Sequence, residues 1–454
     1  AFHPSGLTPT YPLLVDTSLQ NSNATISNVV ISSASSPGIK TDRAIYQEPP
    51  LPALPAAGGK FTDPVFGTQI MRVTDQNDGA INGTFYSYWP TFNCNNTRIL
   101  VKRSNGDAVY NFDPITFTLG TTRQVLSTTF TAEGAIWSSN DPNILYSVSS
   151  GSSLAAKLWK FDASTGTYIS IRDFTADVPA GDFFFQMSKS EDNDVFAWTR
   201  YHRDPNGLHN TKVGYMVYRV STNSILLNQT LSTIDDLDEV QIDKSGRWLL
   251  VKGEASLAAN ISNYIRDGQN SWSRNGLVKG DPDRAPIGHS DNGTGYNIGF
   301  EVDGSSGADY GYVRRNFSSP HSSLVTVLDL RPDYSQSSHN SLLATNESWM
   351  LVETYAGASV GDGLFHRELF QVKTDGSGSV RRFCHHRSIY GLNNTDAYWD
   401  QPRANISRDG QFVAFTSNWS TANGRRDMFI VKIPPASSTG ITWVNQANVT
   451  ATSN

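Results

Sequence analysis

The chain has 454 residues, enough to bury a large core, and closed all-β folds run to this length as one unit. Its formal charge is −6 with no basic run or stripe, which argues against nucleic acid as a partner. No apolar stretch approaches the roughly 18 residues of a transmembrane helix, so no membrane span is expected, and the wealth of Gly, Ser, Thr, Asn and aromatics favours strands and turns over helices.

Residues 1–60 read as a polar surface arm that ends in a Pro-rich, extended link, Pro49 to Pro55 (PPLPALP). A strand at Gln69 to Val73, within FTDPVFGTQIMRVTD, has no partner of its own nearby. In a propeller such a strand completes the last blade and closes the ring, which removes exposed sheet edges.

Diverged repeats follow at a period of about 50 residues, within the range of propeller blades. They start near Tyr88 (YWPTFN, TRILVKRS, AVYNFDPIT), Ala135, Phe184, Glu239, Gly288 and His339, and the last is Tyr398 to Pro434. In that last repeat ANIS, QFVAFTSN and DMFIVKIP read as three consecutive strands around the turn Arg408-Asp409-Gly410. After Glu254 the fourth repeat runs through ANISNYIRDGQNSWSRNG, which reads as an insertion. A pair of β-sandwiches or a β-solenoid is the alternative, but the recurring turn, apolar strand and aromatic strand ending in Asp favour the propeller. The predicted fold is an all-β, seven-bladed β-propeller over residues 61–454, its last blade closed by an N-terminal strand.

Asn-x-Ser/Thr sequons begin at Asn23, Asn82, Asn95, Asn228, Asn260, Asn292, Asn316, Asn346, Asn393, Asn405, Asn418 and Asn448. That density predicts a secreted, extracellular, N-glycosylated protein, and the start at Ala1-Phe2-His3 fits a mature, processed form. The two cysteines, Cys94 and Cys384, either form one disulfide outside the cell or stay free.

In a propeller the starts of the innermost strands and the ends of the second strands line one mouth of the central channel. Here the starts give Tyr88, Trp89, Glu133, Trp137, Glu239, His289, His339, Gln401 and Arg403. The second-strand ends give Arg103, Arg200, Tyr201, His202, Glu301, Glu353 and Tyr355. Aromatics at strand starts also pack between blades, so Trp89 and Trp137 have a core reading beside the substrate-binding one. His366 opens a third strand and is a further candidate, whereas His385 and His386 fall on an outer strand. The densest cluster is TRYHRD, Thr199 to Asp204: its arginines suit a carboxylate and its Tyr-His pair suits proton transfer, with a solvated loop as the alternative.

The stretches SRDGQFVAFTSN and GRRDMFIV (residues 407–418 and 424–431), with FGTQIMRVTD and YWPTFN, resemble the propeller polysaccharide lyases, among them oligogalacturonate and ulvan lyases. Over about residues 60–435 the chain is most similar to the fungal seven-bladed lyases that cleave the rhamnose-α-1,4-glucuronate ends of gum arabic and arabinogalactan proteins to give an unsaturated uronate. The resemblance implies β-elimination at a uronic acid of a plant polysaccharide or glycoprotein glycan, by a monomeric enzyme. Such chemistry needs a positive group on the uronate carboxylate, a base for the C5 proton and an acid for the leaving oxygen. It implies His202, Tyr201, His289, His339 and Arg403 as catalytic candidates, and Tyr88, Trp89, Arg103, Trp137, Arg200, Gln401 and Tyr355 as substrate-binding ones. Oligogalacturonate lyases hold a metal on histidines and a glutamine at the last blade. This chain reads Asp400-Gln401-Pro402-Arg403 there, so Arg403 takes the place of a cation, with a divalent ion such as calcium on oxygen ligands as the other possibility. A glycoside hydrolase using an acid/base pair drawn from Glu133, Glu239, Glu301 and Glu353 is the second functional reading, and a non-catalytic glycan-binding propeller the third.

Overall fold

The computed structural model describes residues 39–434, apart from 129, 131–132, 150–154, 204–209, 232–236, 254–263, 278–288, 303–309, 321–322, 334 and 393–396. Two strands come first, β1 (Lys60–Thr62) and β2 (Gln69–Arg72). Blade one holds β3 (Asn82–Gly83), β4 (Arg98–Arg103), β5 (Ala108–Asp113) and β6 (Thr118–Val125), and blade two holds β7 (Ile136–Trp137), β8 (Ile144–Val148), β9 (Lys157–Asp162) and β10 (Thr167–Asp173). Blade three is β11 (Asp182–Lys189), β12 (Val195–Arg203), β13 (Asn210–Arg219) and β14 (Ser224–Thr230). Blade four is β15 (Glu239–Ile242), β16 (Trp248–Lys252), β17 (Tyr264–Asp267) and β18 (Ser273–Leu277). Blade five is β19 (Ser290–Asn292), β20 (Tyr296–Val302), β21 (Tyr310–Asn316) and β22 (Val325–Asp329), and blade six β23 (Ser337–Ser341), β24 (Trp349–Tyr355), β25 (Glu368–Lys373) and β26 (Val380–His385). Blade seven has β27 (Asn405–Ile406), β28 (Phe412–Ser417) and β29 (Asp427–Lys432), and takes β2 and then β1 as its outer strands.

The seven-bladed ring and its closure by an N-terminal strand are thus as the repeats predict. Closure rests on antiparallel register, Ile70 opposite Val431 and Arg72 opposite Phe429. Beneath it Arg72 and Asp427 form a buried ion pair at 2.6 Å. Each blade interface is an apolar seam: between blades seven and one, Met71, Ile99, Val101, Phe112, Phe412 and Ile430 pack together, with the Phe112 and Phe412 rings 5.2 Å apart. Second strands are buried on both faces, which is why they read as continuous apolar runs.

The fourth repeat departs from its sequence reading. YIRD and SRNGL, taken there as part of an insertion, are its third and fourth strands, and residues 254–263 lie outside the described ones. Register places Tyr264 opposite Val251 and Asp267 opposite Trp248. The strands are short and carry Arg and Asp among their apolar residues, so the alternation that marks other blades is lost.

Residues 39–59 cross blades six and seven. Backbone carbonyls of Ala44, Pro49 and Pro52 accept hydrogen bonds from Arg382 (2.6 Å), Arg387 (3.3 Å) and Trp419 (3.3 Å). Proline offers carbonyls but no N–H, so the link is held by donors from the blades. Residues 1–38 and 435–454 lie outside the described ones. Cys94 and Cys384 are both free thiols, Cys384 buried. Among the described residues no helix is long and apolar enough to cross a membrane.

Candidate active site at one mouth of the channel

All innermost strands run from the same end of the channel, so residues at their starts ring one mouth. Blade one supplies its share through an irregularity. After Gly83 the chain leaves the ladder and rejoins it at Phe92, which bridges to Ile99. Pro90 lies within this excursion and has no N–H to donate. Blade seven pins it: Thr84 Oγ1 donates to the Arg403 carbonyl (3.0 Å), Asn405 Nδ2 to the Tyr86 carbonyl (3.3 Å), and the Thr91 N–H to Asn405 Oδ1 (3.1 Å). Tyr86 and Tyr88 therefore project into the mouth, half-buried. The Tyr86 ring lies 4.7 Å from Tyr88, 5.1 Å from His339, 6.4 Å from His289 and 6.5 Å from Tyr398. Burial pushes the Tyr86 and Tyr88 phenols well up, so both hold their protons at neutral pH.

The His289 and His339 rings are 4.1 Å apart. His289 Nδ1 is 2.6 Å from the Ser338 carbonyl. A carbonyl only accepts, so Nδ1 carries the proton and Nε2 presents its lone pair. Burial, then the neighbouring His339, lowers the His289 pKa to about 3, and the ring is neutral at pH 7. His339 Nδ1 sits 2.5 Å from Glu353 Oε1, and its Nε2 is buried without a hydrogen-bond partner. Burial, then the Arg403 charge, lowers the His339 pKa to about 3. Burial pushes Glu353 up to about 7, against the backbone N–H groups of Ala404 and Arg403 that donate to it, the latter at 2.9 Å. Tyr355 stacks on His339 at 5.1 Å.

Arg403 has a backbone φ of 43°, the left-handed region, which costs a non-glycine residue about 1–3 kcal/mol. Glu353 holds that conformation through the two N–H bonds just named. The guanidinium lies 4.2 Å from the Trp399 ring and 4.9 Å from that of Tyr398, and donates to the Phe85 carbonyl at 3.1 Å. Lys102 Nζ lies 3.9 Å over the other ring partner, Trp399. Burial raises the Glu133 pKa, and the charges of Lys102 and Arg403 oppose the rise. Opposite them, Glu239 accepts from Tyr88 Oη and Lys252 Nζ, each at 2.7 Å. Tyr390 and Tyr398 are the exposed aromatics of the rim.

Of the sequence-predicted residues, the fold brings His289, His339, Arg403, Tyr88 and Tyr355 together, with Gln401 in the loop before Arg403. The TRYHRD cluster lies apart. Arg200 pairs with Asp182 at 3.0 Å and reaches the outer strand at Asn228 and Thr230, while His202 bonds Asp182 at 2.7 Å. Tyr201 alone touches the channel wall, its Oη donating to Gln186 at 3.0 Å. Arg103 is taken up by Asp78 (3.3 Å) and the Gly106 carbonyl (2.7 Å). Trp89 and Trp137 are buried wall residues whose indoles donate to the Met187 and Thr91 carbonyls at 3.2 and 3.0 Å. His366 is buried and accepts from Arg367 Nε at 2.7 Å. Glu301 is buried in an ion pair with Arg315. Tyr86 was not singled out by sequence reasoning; its signal is the alternation in FYSYW, which puts Tyr86 and Tyr88 on one side.

At the far end of the channel Arg408 of blade seven pairs with Glu191 of blade three. Lys244 of blade four pairs with Glu347 of blade six at 3.1 Å and donates to the Ala344 carbonyl at 2.8 Å. These bonds join non-adjacent blades across the far end of the channel.

No family model matches the chain, and no curated protein matches it in sequence. Its likeness is to solved structures. Oligogalacturonate lyase from Vibrio parahaemolyticus superposes with a TM-score of 0.56 at 14% identity, over 84% of this chain and 99% of that one. An oligogalacturonate lyase in complex with manganese gives a TM-score of 0.56 at 14% identity, over 84% and 97%. At this identity the likeness bears on the fold, which all three chains share. As for a metal, among the described residues no three His, Cys, Asp or Glu side chains converge as a ligand set. The histidine pair also has the Arg403 charge beside it. At the histidine pair that charge opposes a metal ion.

Proposed function

We propose that the protein is a polysaccharide lyase that cleaves beside a uronic acid by β-elimination. The observation that carries the reading is the pairing, at one mouth, of a neutral imidazole whose tautomer leaves the Nε2 lone pair available with a cation packed against two rings. In this reading Arg403, with Lys102, binds the uronate carboxylate and draws charge from C5. His289 Nε2 accepts the C5 proton; the arriving carboxylate is a negative neighbour that lifts the imidazole pKa from its unliganded value. Tyr86, its phenol kept protonated by burial, gives its proton to the departing O4 oxygen. The C5–H and C4–O bonds break, a C4–C5 double bond forms, and no water is added. Glu353 and His339 lie behind His289 and position it.

The uronate is proposed to be glucuronate capped by rhamnose, as in gum arabic and arabinogalactan proteins, and the enzyme to be secreted and monomeric. Support for these points is the sequence resemblance and the sequon density. The carboxylate-neutralising role goes to Arg403 rather than to a divalent cation such as calcium, so turnover is expected to persist in EDTA. The test is incubation with gum arabic and with pectic and ulvan fragments, followed by mass spectrometry. A product one water lighter than the hydrolytic one, with ultraviolet absorbance of a conjugated uronate, is expected. New reducing ends without that absorbance would instead mean a hydrolase.

A further inference from the structure

Eight of the twelve sequons fall on described residues, and the fold treats them very differently. Asn82, Asn292, Asn405 and Asn418 are each at most 5% exposed. Their amide nitrogens donate inward, to the carbonyls of Gly79 (3.0 Å), Gln241 (3.1 Å), Tyr86 (3.3 Å) and Ile389 (2.8 Å). Asn228 is spoken for at both amide atoms, its Nδ2 donating to the Asp177 carbonyl at 2.9 Å and its Oδ1 accepting from Arg200. Asn316 is half-buried and followed by Phe317, which is 1% exposed and packs on Trp248.

Asn95 and Asn346 differ from all of these. Both are exposed, as Asn228 also is, but these two sit in the tight turn between the first and second strands of a blade, whereas Asn228 lies on an outer strand. In each, Oδ1 accepts a bond from the hydroxyl residue of its own sequon. Asn95 Oδ1 takes the Thr97 N–H (3.2 Å) and hydroxyl (2.6 Å), and Asn346 Oδ1 takes the Ser348 N–H (3.0 Å). The local Asx turn thus satisfies the oxygen and turns Nδ2 to solvent. An N-linked glycan is bulky and hydrated and needs such an outlet.

We propose that Asn95 and Asn346 are N-glycan attachment sites and that the other six described sequons stay bare in the folded protein. Both carriers lie at the C-terminal ends of innermost strands, whereas the histidine mouth lies at their N-terminal ends. The glycans therefore cover the far face of the ring and leave the mouth clear for a large ligand. This assignment does not depend on the lyase reading.

The test uses the full chain behind a secretion leader in a eukaryotic host. Secreted and cell-retained protein are both digested and treated with peptide N-glycosidase F in heavy-oxygen water. Labelled aspartate at positions 95 and 346, with none at 82, 228, 292, 316, 405 or 418 in the secreted protein, is the expected map. N95Q and N346Q are each expected to remove one glycan step in gel mobility, and the double variant both, with any turnover unchanged. Asn95 and Asn346 unlabelled in both fractions, or label at any of the other six described sequons in secreted protein, overturns the proposal.

Discussion

His289 is the side chain with the clearest chemical orientation in the mouth, because a carbonyl fixes its tautomer. Its replacement, His289→Ala, is expected to lower kcat by about 10²–10⁴-fold, the usual worth of a positioned general base, with KM little changed. A fall below tenfold sinks the assignment. Glu353 offers a second reading of the same cluster. Burial holds its carboxyl near 7, so it ionises as pH rises through that value. The carboxylate form is a negative neighbour that raises the His289 pKa and strengthens the base. The rate is thus expected to climb with pH around 7, and Glu353→Gln to flatten that limb rather than merely lower the rate. A pH–rate profile of kcat/KM for both proteins reads this directly, and an unshifted limb in the variant overturns it.

At the scale of elements, what the sequence makes legible is regular structure. Apolar second strands such as Phe412–Ser417, buried throughout, announce the blades, and the unpartnered Gln69–Arg72 announces the closure. Irregular backbone is less visible. The excursion that carries Tyr86, the left-handed turn at Arg403 and the short strands of blade four all depend on contacts from distant blades, and no local pattern encodes those. The TRYHRD cluster shows the reverse failure: its composition suits a site, but Asp182, on the neighbouring strand, captures Arg200 and His202. Closure itself is testable. Asp427 accepts from Arg72, Thr74, Asn82 and Arg425, so it gathers β2, the start of blade one and its own strand. Asp427→Ala leaves Arg72 buried and without its carboxylate, a change that costs about 3–5 kcal/mol. Chemical denaturation is expected to show that loss, and a change under about 1 kcal/mol speaks against the clasp.

For the whole molecule, the distribution of charge sets how an acidic polymer approaches. The chain carries a formal charge of −6, and the proposed substrate is also an anion, so long-range forces oppose the encounter. Attraction is offered at the mouth, where Arg403 is 1% exposed and Lys102 stands over Trp399. Salt acts unequally on these two parts. With a Debye length of about 10 Å at 0.1 M, exposed charges across the surface are screened, while a contact pair sunk in an aromatic pocket is screened much less. Raising ionic strength from low values to about 0.15 M is therefore expected to raise kcat/KM on the polymer while leaving kcat unchanged. A neutral ester of the same uronate, lacking the charge, should show no rise, though it also loses the Arg403 contact and turns over more slowly. The comparison separates the two scales of electrostatics. A steep fall of kcat/KM with salt would mean that a basic surface steers the substrate, and overturns this account.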